Sequence, residues 1–367
     1  MSIKTDLDRA AHHYSPPSDA LERLHRRRDR RHRAEKLRAV VIGLGVAAAV
    51  VGLLLWEFDG GTHTRPAGTA PSSPTNGDLL YAKKSLSGWH LFAADPKTGA
   101  ERELTHGIRD YGSDWSPDGT QIVYDTESGN IVVANADGSD PASIGEGQDP
   151  AWSSDGTRIA YSGSDGGIWV VNTDGSEAHA VTDPASAGTG TGENAPFDWN
   201  PSWSPDSHSI AYTRVVAHRM APVPNGQNHT DVTLEQLRVW HDGPQPSDTM
   251  LTDGYASLGE VDWSPNGSTL VFTGAPTLFH QQETNGLTSP RVLLIPSNGG
   301  RVTPITPRGS WDAGATWSPD GRFIAYVDSF ESLVIMRADG TDRRKLGIDP
   351  GDDEIIGPSW GVAPASS

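Results

Sequence analysis

The side chains best equipped for chemistry in this sequence are its 13 histidines and 47 aspartates and glutamates. Their spacing withholds most of the chemistry they are capable of. No His-Glu-x-x-His pair sets two imidazoles on one helix face for a metal, and no Gly-rich phosphate loop stands at a strand–helix junction. No Gly-x-Ser-x-Gly nucleophile elbow occurs. His218, His229 and His241 fall in one stretch, but nothing in their spacing singles out zinc. Cysteine is absent, which removes disulfides and thiolate-ligated zinc. Asp-Gly pairs recur at Asp118, Asp137, Asp174, Asp320 and Asp339. A calcium loop of the EF-hand kind needs alternating oxygen ligands and a distal glutamate, which NADGS and NTDGS lack. These pairs read as turns. The sequence therefore predicts no catalytic residue, no metal and no cofactor.

Loop length is more informative than any cluster. Four segments stand out: 183–200, 213–236, 253–260 and 274–290. Long loops in a compact domain are usually functional or disordered, and decoration without a ligand is the alternative to a binding role. The side chains on two of them that are suited to gripping a partner are Arg214, His218, Arg219, Met220, Phe279, His280, Gln281 and Glu283. These are the candidate contacts for a protein, peptide or glycan.

The elements that would position them follow from an internal repeat, the feature that decides the fold. Five times the chain runs from Trp through a polar turn to an apolar doublet and an aromatic: WSPDGTQIVY from Trp115, WSSDGTRIAY from Trp152, WSPDSHSIAY from Trp203, WSPNGSTLVF from Trp263 and WSPDGRFIAY from Trp317. Ser-Pro-Asp-Gly presets a tight turn: Pro fixes φ, Asp118, Asp155, Asp206 or Asp320 bonds the local backbone, and Gly accepts a left-handed conformation. The alternating β-branched and aromatic residues after it read as a strand. A third strand ending in a Gly turn follows in each copy, then a short fourth ending in Leu-Thr or its equivalent. Four strands at Trp-to-Trp steps of 37, 51, 60, 54 and 43 residues are propeller spacing. A last Trp, Trp360, has a first strand and nothing after it, while the unit beginning at Asp78 lacks a Trp strand. The two fragments complete one another. The expected fold is all-β: a six-bladed β-propeller over residues 78–361, with blade one closed 3+1 by strands from both ends of the domain, followed by a short tail, 362–367. An open β-solenoid or two small sandwiches fit the complementary end fragments poorly. In such a blade the Ser-Pro-Asp-Gly and Asp-Gly turns lie on one face of the disc. The second-to-third loops and the inter-blade links, which include all four long segments, lie on the other.

With those residues in view, the repeat resembles the TolB-type, WD-like propeller repeat, which also occurs in the propellers of prolyl oligopeptidase and dipeptidyl peptidase relatives. The resemblance implies a binding or scaffolding role in the cell envelope. Two departures limit it. The family's soluble periplasmic members carry an N-terminal α/β domain that this sequence lacks, so a Tol–Pal partnership does not carry over. The peptidase relatives add a hydrolase domain, for which no sequence remains here.

What stands before the propeller reads as a membrane anchor. Residues 39–56, AVVIGLGVAAAVVGLLLW, hold no charge, and at 1.5 Å per residue they span about 27 Å as a helix. Nine lysines and arginines lie between Arg23 and Arg38, and residues 1–38 carry a net charge of +5 against −23 for the rest. The positive-inside rule puts the N-terminus in the cytoplasm and the propeller outside. A cleaved signal peptide fits less well, because the basic region is long and Ala47-Ala48-Ala49 lies mid-run. The expected order is a cytoplasmic tail over 1–38, a single-pass transmembrane helix over 39–58 and a flexible linker over 59–77. The acidic remainder argues against nucleic acid as a partner. A non-enzymatic envelope module is therefore expected. A lyase or lactonase acting at the propeller channel, or a sensor signalling through the basic tail, is the alternative.

Overall fold

The computed structural model describes residues 74–85, 87–184, 196–221, 230–253, 255–276, 289–348 and 354–364, with backbone alone at 217–221, 230–234, 256 and 276. Twenty-four strands make up these residues. The segment 39–58 lies outside them, and among the described residues no helix is long and apolar enough to cross a membrane.

Each repeat turn is built around one aspartate. Ser116 Oγ donates to Asp118 Oδ1 at 2.7 Å, Thr120 N donates to the same oxygen, and Gln121 N donates to Ser116 Oγ. Asp155, Asp206 and Asp320 repeat the arrangement, and Asn266 takes the aspartate's place in the copy that begins at Trp263. The hydrogen bonds from Ser116 and Ser204 hold Asp118 and Asp206 below the usual carboxylate range.

The strands form six antiparallel blades. Blade two is the simplest: β4 (Asp110–Trp115), β5 (Gln121–Thr126), β6 (Asn130–Asn135) and β7 (Ala142–Glu146), in that order. Blade three is β8 (Gln148–Trp152) through β11 (His179–Ala180), and blade six is β20 (Asp312–Trp317) through β23 (Arg344–Lys345). Blade four runs from β12 (Phe197–Trp203) through β13 (Ser209–Ala221) and β14 (Thr230–His241) to β15 (Ser247–Met250). Blade five begins at β16 (Tyr255–Trp263), continues through β17 (Thr269–Pro276) and β18 (Arg291–Pro296), and ends at β19 (Thr303–Pro304). In blade one, β24 (Ile355–Val362) pairs with β1 (Asn76–Lys84), with Leu79 opposite Trp360, and β2 (Trp89–Ala94) and β3 (Glu101–Glu103) follow. The first strands touch in a complete cycle: β4 meets β8, β8 meets β12, β12 meets β16, β16 meets β20, β20 meets β24 and β24 meets β4.

The repeated tryptophans explain why the blades stack. Trp115 packs among Leu80 and Leu91 of blade one and Ile122 and Tyr124 of its own blade. Trp152, Trp203, Trp263, Trp317 and Trp360 each do the same between their own blade and the one before. The core is thus six wedges, each sealed by one indole, and burial of such large apolar surfaces is the main driving force for assembly.

Each first strand bulges three residues before its Trp, where the backbone turns left-handed at Gly112, Asp149, Asn200, Gly314 and Gly357. These residue types tolerate that conformation best. Glu260, at the equivalent place in blade five, is the exception.

Candidate partner-binding face

The long segment 213–236 is not a loop at its ends. Threonine and valine-rich stretches flank its middle and continue the blade's second and third strands, so β13 and β14 are 13 and 12 residues long where β5 and β6 have six each. β12 accompanies β13 only as far as Val215, which faces Phe197. From Ala217 opposite Leu234 to Ala221 opposite Thr230, β13 and β14 run on together as a ribbon. Segments 183–200, 253–260 and 274–290 likewise give part of their length to strands, with β12 beginning at Phe197, β16 at Tyr255 and β17 reaching Pro276.

The base of the ribbon is braced by buried charge. Arg214, 5% exposed, points its Nε at Asp198 Oδ1 (2.6 Å) and its Nη2 at Asp198 Oδ2 (2.8 Å), and Asp198 is 1% exposed. Thr182 Oγ1 donates to the same carboxylate at 2.5 Å. Asp248 on β15 lies 3.6 Å from Arg214 and 2.9 Å from Arg238. Burial works against the Arg214 charge, and the carboxylate beside it outweighs that, holding Arg214 above the ordinary arginine range. On the other side Glu235 of β14, also buried, accepts a 2.5 Å hydrogen bond from Leu258 N, and its backbone pairs with Tyr255. The pairing joins blades four and five into one eight-stranded sheet.

The expected contact residues therefore separate. Arg214 is an internal strut rather than a surface contact, because its fork is spent on Asp198. His218, Arg219 and Met220 lie on the ribbon, opposite Thr233, Val232 and Asp231 in register. Phe279, His280, Gln281 and Glu283 lie outside the described residues.

Three further carboxylates, Asp114, Asp262 and Glu260, link first strands of neighbouring blades. Asp114 accepts from Ser359 Oγ (2.6 Å) and from Trp152 N (2.8 Å), so it ties its own strand to the neighbour on each side. Asp262 accepts from Trp317 N (2.7 Å) and Thr316 Oγ1 (3.0 Å). Burial pushes Asp262 up to about 6, helped by the charge of Asp114, and burial raises Asp114 and Glu260 as well. Glu260 takes a backbone hydrogen bond from Gly314. These groups are spent on stitching first strands together.

Sequence reasoning passed over Asp198, Glu235 and Glu260. Glu260 had a signal: it is the one bulky residue among five small or left-handed-tolerant ones three places before the tryptophans. Asp198 had a weaker one, since the Thr that ends a fourth strand donates to an acid at the start of the next blade both here and at Thr306 with Asp312.

No protein-family model and no curated protein matches the chain by sequence. Solved structures do match by shape. TolB from Acinetobacter baumannii is similar over 78% of this chain and 66% of its own length, with a TM-score of 0.57 and 17% identity. The putative TolB from Agrobacterium tumefaciens is similar over 79% of this chain and 100% of its own, at a TM-score of 0.53 and 18% identity. The fold is that of the TolB propellers. The chain spans under two thirds of the Acinetobacter TolB, and the likeness at these identities is one of architecture. The tricorn protease shares it over 76% of this chain but only 30% of its own, at a TM-score of 0.50 and 13% identity. Within the TolB-like disc, the braced ribbon over blades four and five is what departs from the four-strand pattern seen in blade two.

Proposed function

We propose that this TolB-like propeller is a non-enzymatic binding module of the cell envelope, tethered to a membrane by residues 39–58 and presenting the ribbon face to a protein, peptide or glycan. The observation that supports it is the β13–β14 ribbon. Blade two completes the same four-stranded motif with a turn of three residues between β5 and β6, so the extension is more than a blade requires. Its base is held by the Arg214–Asp198 and Glu235–Leu258 contacts, which fix the direction in which it leaves the disc. A braced ribbon loses little entropy on meeting a partner, which is where binding modules gain affinity. We also read the β24–β1 pairing as the latch of the ring, sealing the edges an open array would expose. The tether rests on the uncharged run and the basic flank.

The test replaces residues 217–234 by a short turn in the full chain and compares its chemical crosslinks in native membranes with those of the parent. The expected result is a folded protein with an unchanged thermal transition that has lost its crosslinked partners. A shortened chain that keeps every one of them contradicts the reading.

A further inference from the structure

We propose a divalent-metal site on the outer rim of blade one, formed by His90, Glu103 and His106, with zinc as the ion it fits. The three residues come from β2, from the end of β3 and from the link to blade two, and their ligating atoms lie within 4.8 Å of one another. His90 Nδ1 lies 2.5 Å and His106 Nδ1 3.2 Å from the same oxygen, Glu103 Oε1. Two imidazoles and one carboxylate are a ligand set that zinc accepts. Zinc–ligand bonds near 2.0–2.2 Å in a tetrahedron place the ligand atoms about 3.3 Å apart. From Glu103, His106 already stands at that spacing and His90 needs to open by under about 1 Å, while the two imidazoles, within 4.8 Å of each other, need to close by up to about 1.5 Å.

The backbone that carries these ligands is pinned. Leu104 N donates to Leu91 O, Leu91 N donates to Thr105 Oγ1, and Trp89 N donates to Ile108 O, so the link is clamped on both sides of His106. Gly88 makes room for this, since a side chain there would collide with the Ile108 backbone oxygen. His90 is 6% exposed, and its far nitrogen Nε2 lies 3.2 Å from Ser87 Oγ. A partner on the second ring nitrogen is what fixes a ligating histidine's orientation. The side chain of His106 is 79% exposed, so three protein ligands leave the remaining position open to water or to an oxygen or nitrogen donor from another molecule. The site lies at the link end of the blade, on the same side of the disc as the ribbon, and it does not depend on the ribbon's role.

The experiment uses the full chain without a histidine tag. Zinc chloride is titrated calorimetrically, and cobalt(II) substitution is followed by its visible absorption. Parent protein is expected to bind one zinc and to gain thermal stability from it. His106→Ala, at an exposed position, and Glu103→Gln are each expected to keep the fold, to weaken zinc by at least about tenfold and to lose the cobalt bands. No zinc binding by the parent overturns the proposal. So does zinc binding that both variants retain at parental strength, which places the ion on other histidines.

Discussion

Arg214 and Asp198 form a two-pronged ion pair inside blade four, between the second strand and the first, with both groups removed from solvent. Removing one partner strands the other's charge. Arg214→Ala is expected to cost about 3–5 kcal/mol in urea denaturation. Arg214→Met combined with Asp198→Leu is expected to recover most of that, because two apolar groups leave no orphaned charge. If the single and double variants unfold at the same urea concentration as the parent, the brace contributes nothing.

Trp360 is the sixth wedge and lies at the junction of the domain's two ends. It faces Leu79 in register, donates from Nε1 to Gly77 O at 3.1 Å, and packs against Ala325, Leu333 and Ile335 of blade six. Trp360→Ala is expected to destabilise the domain by about 3–5 kcal/mol, the range for a large buried aromatic. Deleting residues 355–367 is expected to do more, by exposing the edges of β1, β4 and β20 together. The thermal transition measures both. A truncated chain that melts with the parent means the ring does not depend on this latch.

Asp262 gives a pH signature whose sign is fixed by burial. Its folded value is raised to about 6 from the ordinary 3.8. Between those values the folded chain binds more protons than the unfolded one, so this group's contribution to stability is greatest below 3.8 and is lost as the pH rises through 6. Asp262→Asn keeps an oxygen for Trp317 N and removes the titration. Relative to the parent, the variant is expected to gain stability between pH 4 and 7, by up to about 3 kcal/mol. A constant difference across that range contradicts the burial argument.

Residues 39–58 should decide where the chain is found. The full chain is expected to stay with the membrane pellet after alkaline carbonate washing, and a chain starting near residue 76 to be soluble and to unfold cooperatively. A full chain released by carbonate rules out the tether.

The architecture was legible because one local signal was repeated. Trp, a polar turn of the Ser-Pro-Asp-Gly kind and the aromatic nine residues on from each Trp are set by the geometry of a single hairpin, so five copies and two end fragments that complete one another announce six blades. The bulge residues Gly112, Asp149, Asn200, Gly314 and Gly357 were equally visible, yet only a common left-handed backbone gives them a meaning. The ribbon was harder. Strand pairing from Ala217 to Ala221 is a contact with residues 230–234, and segment length alone reads as loop. Arg214 looked like a surface contact because its partner Asp198 lies 16 residues back, in a stretch read as an insertion. His90, Glu103 and His106 meet in blade one, whose Trp strand comes from the far end of the domain, so no motif pointed to them.

The claim that the ribbon face meets the partner is tested most directly by site-specific photocrosslinking in native membranes. A benzophenone side chain is placed at Arg219 or Val232 on the ribbon, and at Thr120 or Ser176 on the turn face. The account predicts a discrete adduct from the ribbon positions and none from the turn positions. Adducts from Thr120 and Ser176, with Arg219 and Val232 silent, would contradict it.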